Sequence, residues 1–279
     1  MRPSPILREE FTECNKMNKI RNIETEISGD TATIWLNRPS KGNAMNMDLI
    51  REFTDQLRDW ENRKSLRFIL IRGRGKHFCA GADLNWMSAS AGLTKEENLR
   101  ESQELAALFE SVYHSGKICI AVVEGACYGG GIGLASVCDF VFAGSGAIFS
   151  FGEIRLGLVP ATIAPFVAGR TGTSRAKRLM LTGRVINAEE AMEAGLVDQL
   201  IPDKEAENEI AALLKVLRAG SPKAQEKIKS LLNSLTNEAY SDEIRDRTSQ
   251  MIAESRISDE GREGIRAFLE KRTPNWNRE

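Results

Sequence analysis

No apolar run in this 279-residue chain approaches the length that a membrane-spanning helix needs. Charge of either sign is nearly balanced, with 38 Lys and Arg against 39 Asp and Glu for a net charge of -1. That balance gives no whole-protein attraction for nucleic acid or an anionic membrane. Histidine is scarce: His77 and His114 are the two, and both read as loop or helix-end residues rather than bases. The five cysteines (Cys14, Cys79, Cys119, Cys127, Cys138) are odd in number and lack metal-ligand spacing, so no metal site is expected. Four of them sit in apolar surroundings, as reduced thiols of an intracellular protein would. Sequence repeats, low-complexity tracts and flexible linkers are absent. The N-terminal residues lack the apolar core of a signal peptide, and Glu9, Glu10 and Glu13 are wrong for organelle import, so a cytoplasmic location is expected. Residues 1–17 read as a polar extension, with Met17 an alternative start.

What is present is a chain 42% hydrophobic and 28% charged, long enough for one large domain with a substantial core. Alternation in Ile23, Thr25, Ile27 and then Ala32, Ile34, Leu36 predicts two strands around a Gly29-Asp30 turn. Leu49, Ile50, Phe53, Leu57 and Trp60 recur at helical spacing and predict a helix over 48–62. Leu66 to Ile71 is a continuous apolar strand of the buried type. Thr94-Lys-Glu-Glu97 is a capping box opening a helix that carries Leu99, Leu105, Leu108, Phe109 and Val112. Strands are predicted over 139–143, near 148–151 and over 196–201. A second capping box, Asn187-Ala-Glu-Glu190, opens a helix closed by Gly195. Ser221-Pro222 starts another, and two more helices run to about Arg272. Strand–helix units followed by a helical tail imply an α/β core with a mostly parallel sheet.

The organising stretch is Ile118 to Leu134. A β-branched apolar run (Ile118, Ile120, Val122, Val123) gives way to Gly129, Gly130 and Gly131, then to a small-residue helix. A strand turning through glycines into a helix presents free backbone N–H groups, which suit negative charge. A tight turn needing only glycine's backbone freedom is the alternative.

Three segments carry a resemblance: Phe78-Cys-Ala-Gly-Ala-Asp-Leu84, Glu124-Gly-Ala-Cys-Tyr-Gly-Gly-Gly131 and Phe151-Gly-Glu-Ile-Arg-Leu-Gly-Leu-Val-Pro160. With Asn37-Arg-Pro, Asn43-Ala44, Ala191 to Val197 and Phe268-Leu-Glu-Lys-Arg272, the chain resembles the enoyl-CoA hydratase/isomerase (crotonase) superfamily from about Ile23 to Trp276. The resemblance implies a crotonase-like spiral of ββα units over 18–215, then a C-terminal helical trimerisation region over 216–279. It implies an acyl-CoA substrate, no separate cofactor, and a homotrimer or a hexamer made of two trimers. It also places an oxyanion hole at the N–H groups of Ala82 and Gly130, which would hold the thioester oxygen as it gains charge. Lys41, Asn43 and Ala44 would lie by the adenosine or pantetheine arm and Ala80 beside the pantetheine. Leu84, Gly129 and Gly133 would complete the binding surface with Asp83, although Asp83 and Asp139 read as loop-holding residues. Lys271 and Arg272 would approach a neighbouring subunit's CoA.

The carboxylates decide which reaction is implied. Hydratases of the family use two glutamates; here the second is Glu153, and the first position is Gly133. Glu153 can move a proton at the carbon next to the thioester, whereas Gly133 cannot activate water. The aspartates expected of a dienoyl isomerase or a dehalogenase-type member are absent. Two one-glutamate groups fit: isomerases moving a 3-enoyl double bond to the 2-position, and hydratases of methylglutaconyl-type CoA esters. Tyr128 to Leu134 and Glu153 to Pro165 resemble the latter in detail. Arg155 is expected to make a structural salt bridge, with a substrate carboxylate as its alternative partner. A catalytically weak CoA- or RNA-binding relative is the reading outside enzyme chemistry.

Overall fold

A computed structural model describes residues 21–202, 205–235 and 241–277. The extension assigned to residues 1–17, Met17 and Cys14 among them, lies outside the described residues.

The chain opens as an antiparallel pair, β1 (Ile23–Ser28) and β2 (Thr31–Leu36), turning at Gly29 as the alternation predicts. Helix α1 (Met47–Glu61) follows, capped by the Asn46 side chain on the Leu49 N–H. Its five predicted apolar positions are all buried. Then come β3 (Phe68–Gly73), α2 (Leu84–Ser90), α3 (Lys95–Tyr113), β4 (Ile118–Val123), β5 (Ala126–Tyr128) and α4 (Gly130–Ser136). β6 (Phe140–Gly144) and β7 (Ile148–Ser150) lead through a 3-10 turn at Gly152–Leu156 into α5 (Ala164–Thr171) and α6 (Thr173–Thr182). β8 (Ile186–Asn187), α7 (Ala188–Glu193) and β9 (Gln199–Ile201) complete the core. The tail is helical: α8 (Ala206–Arg218), α9 (Pro222–Leu235), α10 (Asp242–Ile257) and α11 (Asp259–Leu269).

Two sheets share these strands. The larger has the order β1-β2-β3-β4-β6-β9 and is parallel beyond the first pair; the smaller has the order β5-β7-β8. The chain therefore steps from large sheet to small sheet to helix, twice in succession, which is a ββα winding. This corrects the expectation that the central strand runs directly into the glycine turn. β4 ends at Val123, Gly125 turns the chain at positive φ, and β5 in the other sheet delivers the glycines.

β4 lies inside the large sheet and is covered on both faces. Cys119, Ala121 and Val123 join the main core, while Ile120 and Val122 pack with Phe68, Leu70, Phe142 and α8 residues Ile210 and Leu214. That double burial is why its sequence shows no polar alternation. Both capping boxes form as predicted. On α3, however, Leu99 is 55% exposed, and the buried stripe begins lower, at Leu108, Phe109 and Val112.

Ion pairs fasten the tail to the core, and one of them is buried. Lys229 of α9 is buried, and its Nζ donates to Asp139 Oδ2 at 2.8 Å and to the Lys117 carbonyl at 2.9 Å. Asp139 also accepts the Cys119 N–H at 2.7 Å, so it holds the start of β4 as expected.

Candidate active site

The segment after β3 lies alongside β5 like a fourth strand of the small sheet. Cys79 pairs in parallel with Cys127: the Cys79 N–H donates to the Ala126 carbonyl at 3.0 Å and the Tyr128 N–H to the Cys79 carbonyl at 2.9 Å. Ala82 lies three residues beyond Cys79, and Gly130 lies three beyond Cys127. Equal offsets from one parallel pair bring the two amides to corresponding heights at the ends of neighbouring segments. Met45 flanks the first segment, donating to the Gly81 carbonyl and accepting from the Asp83 N–H, which leaves the Ala82 N–H turned away. Gly130 is the first residue of α4, where a helix has no internal partner for its N–H groups. Neither N–H donates to any group among the described residues. Both residues line one cavity of about 860 Å³.

Glycine is required at two places here. Gly129 sits at φ 47°, and a Cβ there would lie 2.6 Å from Glu153 Oε1. A Cβ on Gly131 would lie 2.8 Å from the Cys79 carbonyl oxygen, against the strand that carries Ala82.

Glu153 stands in the 3-10 turn that follows β7 and faces the same cavity. Its Oε2 is buried and has no hydrogen-bond partner among the described residues. Burial in these surroundings pushes the carboxyl above its ordinary value, with one backbone hydrogen bond opposing. A carboxyl so placed gives and takes a proton near neutral pH more readily than an exposed one.

The other sequence-nominated residues fall into separate places. Ala80 and Leu84 line the cavity. Asn43 does not: it is fully buried at φ 57°, its amide donates to the carbonyls of Arg74 and His77, and its oxygen accepts the Arg38 N–H. Ala44 is buried, its carbonyl held by the Arg38 guanidinium, and Lys41 is exposed on the same loop outside the cavity. Asp83 is buried, pairs with Arg38 at 2.7 Å, and caps α2 through the N–H groups of Asn85 and Trp86. Burial alone would raise its carboxyl; Arg38 and the two amides more than offset that and leave it below the ordinary value. Its oxygens therefore serve the loop, in line with the loop-holding reading of Asp83. Lys271 is exposed after α11, and Arg272 is engaged by Glu263 and Glu270.

Gly133 is also corrected as a binding residue, because it is buried and outside the cavity wall. A Cβ there would meet Ile163 Cγ2 at 2.2 Å and Phe109 Cζ at 3.1 Å. The space in which a second glutamate would begin is filled by an isoleucine. Arg155 departs from expectation too: it is exposed at the cavity wall and makes no ion pair among the described residues. His77 accepts the Ala126 N–H at 3.0 Å and His114 caps α3, and neither lines the cavity. The four described cysteines are buried free thiols, and burial pushes Cys79 and Cys119 up to about 11.

Sequence reading missed Arg38 as the clamp of the loop and Ile163 as the plug at Gly133. It also missed Trp86, Ser90, Asn98 and Glu101, which form a polar wall of the cavity where α2 meets α3. Asn98, Glu101 and Leu105 stand at i, i+3 and i+7 on α3, and that stripe was the available signal.

A family model described as enoyl-CoA hydratase/isomerase matches residues 26–279. The structure is similar to that of an enoyl-CoA hydratase from Shewanella pealeana, with a TM-score of 0.89 and 34% identity over 93% of this chain and 97% of the other. In sequence it is similar to an enoyl-CoA hydratase of Alternaria alternata, 34% identical over 81% of this chain and 74% of the other. It is also similar to the peroxisomal Delta(3,5)-Delta(2,4)-dienoyl-CoA isomerase of Arabidopsis thaliana, 30% identical over 86% of this chain and 90% of the other. No described helix is long and apolar enough to cross a membrane.

Proposed function

The chain belongs to the enoyl-CoA hydratase/isomerase family, and from that premise we propose that it adds water to the double bond of an enoyl-CoA whose acyl group resembles methylglutaconyl. The observation that carries the reading is the Glu153 carboxyl, whose buried Oε2 has no hydrogen-bond partner among the described residues, on the same cavity as two free amide donors. The Ala82 and Gly130 N–H groups donate to the thioester oxygen and stabilise the charge it gains as the enolate forms. Glu153 delivers a proton to the α-carbon of that enolate. Coenzyme A is part of the substrate, and no other cofactor is called for.

The acyl class is supported by Arg155. An arginine beside the cavity with no ion-pair partner among the described residues suits a carboxylate on the far end of the acyl group. Isomerisation of a 3-enoyl-CoA is the second reading, favoured by the plugged position at Gly133, since a single glutamate suffices to move a proton between carbons. A trimer or hexamer belongs to the same proposal. Phe268 and Leu269 of α11, 82% and 74% exposed, support a tail that a neighbouring subunit covers, with Lys271 carried towards that neighbour's CoA. The division into a core over 18–215 and a helical region over 216–279 goes with it.

The test is a substrate panel: a 3-methylglutaconyl-type CoA, a simple 2-enoyl-CoA and a 3-enoyl-CoA, followed by mass spectrometry. Gain of water with the first, faster than with the second, is expected. Double-bond migration of the third without water gain would replace the hydratase reading by the isomerase one.

A further inference from the structure

The proposed hydration needs a group to take a proton from water, and Gly133 cannot supply it. Among the residues lining the cavity there are two carboxylates: Glu153 and Glu101. Glu101 comes from α3, an element unrelated to the glycine turn. Its Oε2 accepts the Trp86 indole N–H at 2.7 Å, and the Ser90 hydroxyl, whose single proton is shared with the Trp86 carbonyl at 3.0 Å, lies 3.1 Å from it. No donor among the described residues reaches its Oε1. One oxygen is thus held by the indole N–H with the shared Ser90 hydroxyl beside it, which orients the carboxylate, and the other is left for a ligand or water in the cavity.

We infer that Glu101 is the water-activating carboxylate, replacing from α3 the glutamate that the glycine turn lacks. As the water oxygen bonds to the β-carbon, its O–H bond breaks and the proton passes to Glu101 Oε1. The π pair of the double bond moves onto the α-carbon and thioester oxygen, held there by Ala82 and Gly130. The α-carbon then takes the proton of the Glu153 carboxyl. One C–O and one C–H bond form, and one O–H of water and the π bond break. Proton exchange with solvent returns Glu101 to carboxylate and Glu153 to carboxylic acid. The reaction is redox-neutral and needs no further reactant. Ser90 and Trp86 are positioning residues for Glu101.

This inference rests on the hydratase reading, and two reactions separate them. Water addition to the best enoyl-CoA of the panel needs both glutamates. Exchange of the α-hydrogen of a saturated acyl-CoA for solvent deuterium needs Glu153 alone. Glu101→Gln keeps an oxygen for Trp86 and Ser90, so a structural role survives the change. The expected result is a loss of about a hundredfold or more in hydration, the lower end for removal of a general base. Deuterium exchange should stay within about threefold of wild type. Glu101→Ala should regain part of its hydration rate with added formate, and Trp86→Phe should lower hydration less than Glu101→Gln does. Hydration by Glu101→Gln within threefold of wild type would overturn the inference alone. Equal loss of both reactions would make Glu101 a structural residue, which also overturns it. A wild-type protein that exchanges deuterium and hydrates nothing would overturn the hydratase reading and this inference with it.

Discussion

Gly133 provides the sharpest stability prediction, because two effects of opposite sign meet there. Replacing glycine by alanine inside a helix gains about 1 kcal/mol from backbone entropy. Against this, the new methyl would stand 2.2 Å from Ile163 Cγ2 and 3.1 Å from Phe109 Cζ. Ile163 is 2% exposed and Phe109 is fully buried, so neither can move into solvent. Overpacking of this kind costs about 1–3 kcal/mol. Gly133→Ala should therefore be net destabilising, by up to about 2 kcal/mol. Ile163→Ala alone should cost about 2–5 kcal/mol by leaving a cavity. In the double variant the methyl at 133 occupies part of that cavity, so the two losses should fall short of additive by about 0.5–3 kcal/mol. Urea denaturation at unchanged m-value measures all three. A Gly133→Ala protein more stable than wild type, or a strictly additive cycle, would refute the claim that Ile163 fills this space. The same geometry predicts that Gly133→Glu does not raise hydration.

Gly130→Pro removes the helix-end N–H at a position where proline suits a helix, and the flexible Met45 Sδ is the nearest atom, at 3.1 Å, to a Cβ placed there. Turnover should fall by about two to three orders of magnitude while the fold, followed by circular dichroism, persists. Lys229→Ala strands the carboxylate of Asp139 beside the start of β4 and should lower the unfolding free energy by about 3–5 kcal/mol. Glu153 has a native value above its ordinary 4.5, so the folded state holds its proton more tightly and loses stability as pH rises through that window. Relative to wild type, Glu153→Gln should gain stability across the same window in a pH series of thermal melts, and a flat difference would contradict the burial of this carboxyl.

How much of this was legible in the sequence depended on range. Local signals worked where neighbours decide the outcome: the face of α1, the caps of α3 and α7, and the doubly buried β4. They failed where partners are distant. Ala126 to Tyr128 is too short to announce a strand, and its place in the second sheet is set by Ser150 and Cys79. Leu99 matched the spacing of a buried stripe, yet it stays 55% exposed, while Asn98 and Glu101 are the side chains near it on α3 that meet α2. The glycine at 133 was legible as a missing carboxylate, but Ile163, thirty residues later, turns it into a filled site. Asn43 looked like a ligand contact because it flanks the motifs; Arg38 explains it as loop fastening, the role already legible for Asp83. Arg155 had no foreseeable environment, since its lack of an ion pair is a property of every element around it.

Solvent deuterium incorporation at the α-carbon of an acyl-CoA tests most directly the claim that Glu153 works against a thioester held by Ala82 and Gly130. Wild type and Glu153→Gln would be compared in deuterium oxide by mass spectrometry, with CoA-ester binding measured in parallel by calorimetry. The account predicts steady incorporation by wild type, and a fall of at least about a hundredfold in Glu153→Gln with binding retained. Unchanged incorporation in a Glu153→Gln protein that still binds its acyl-CoA would contradict it.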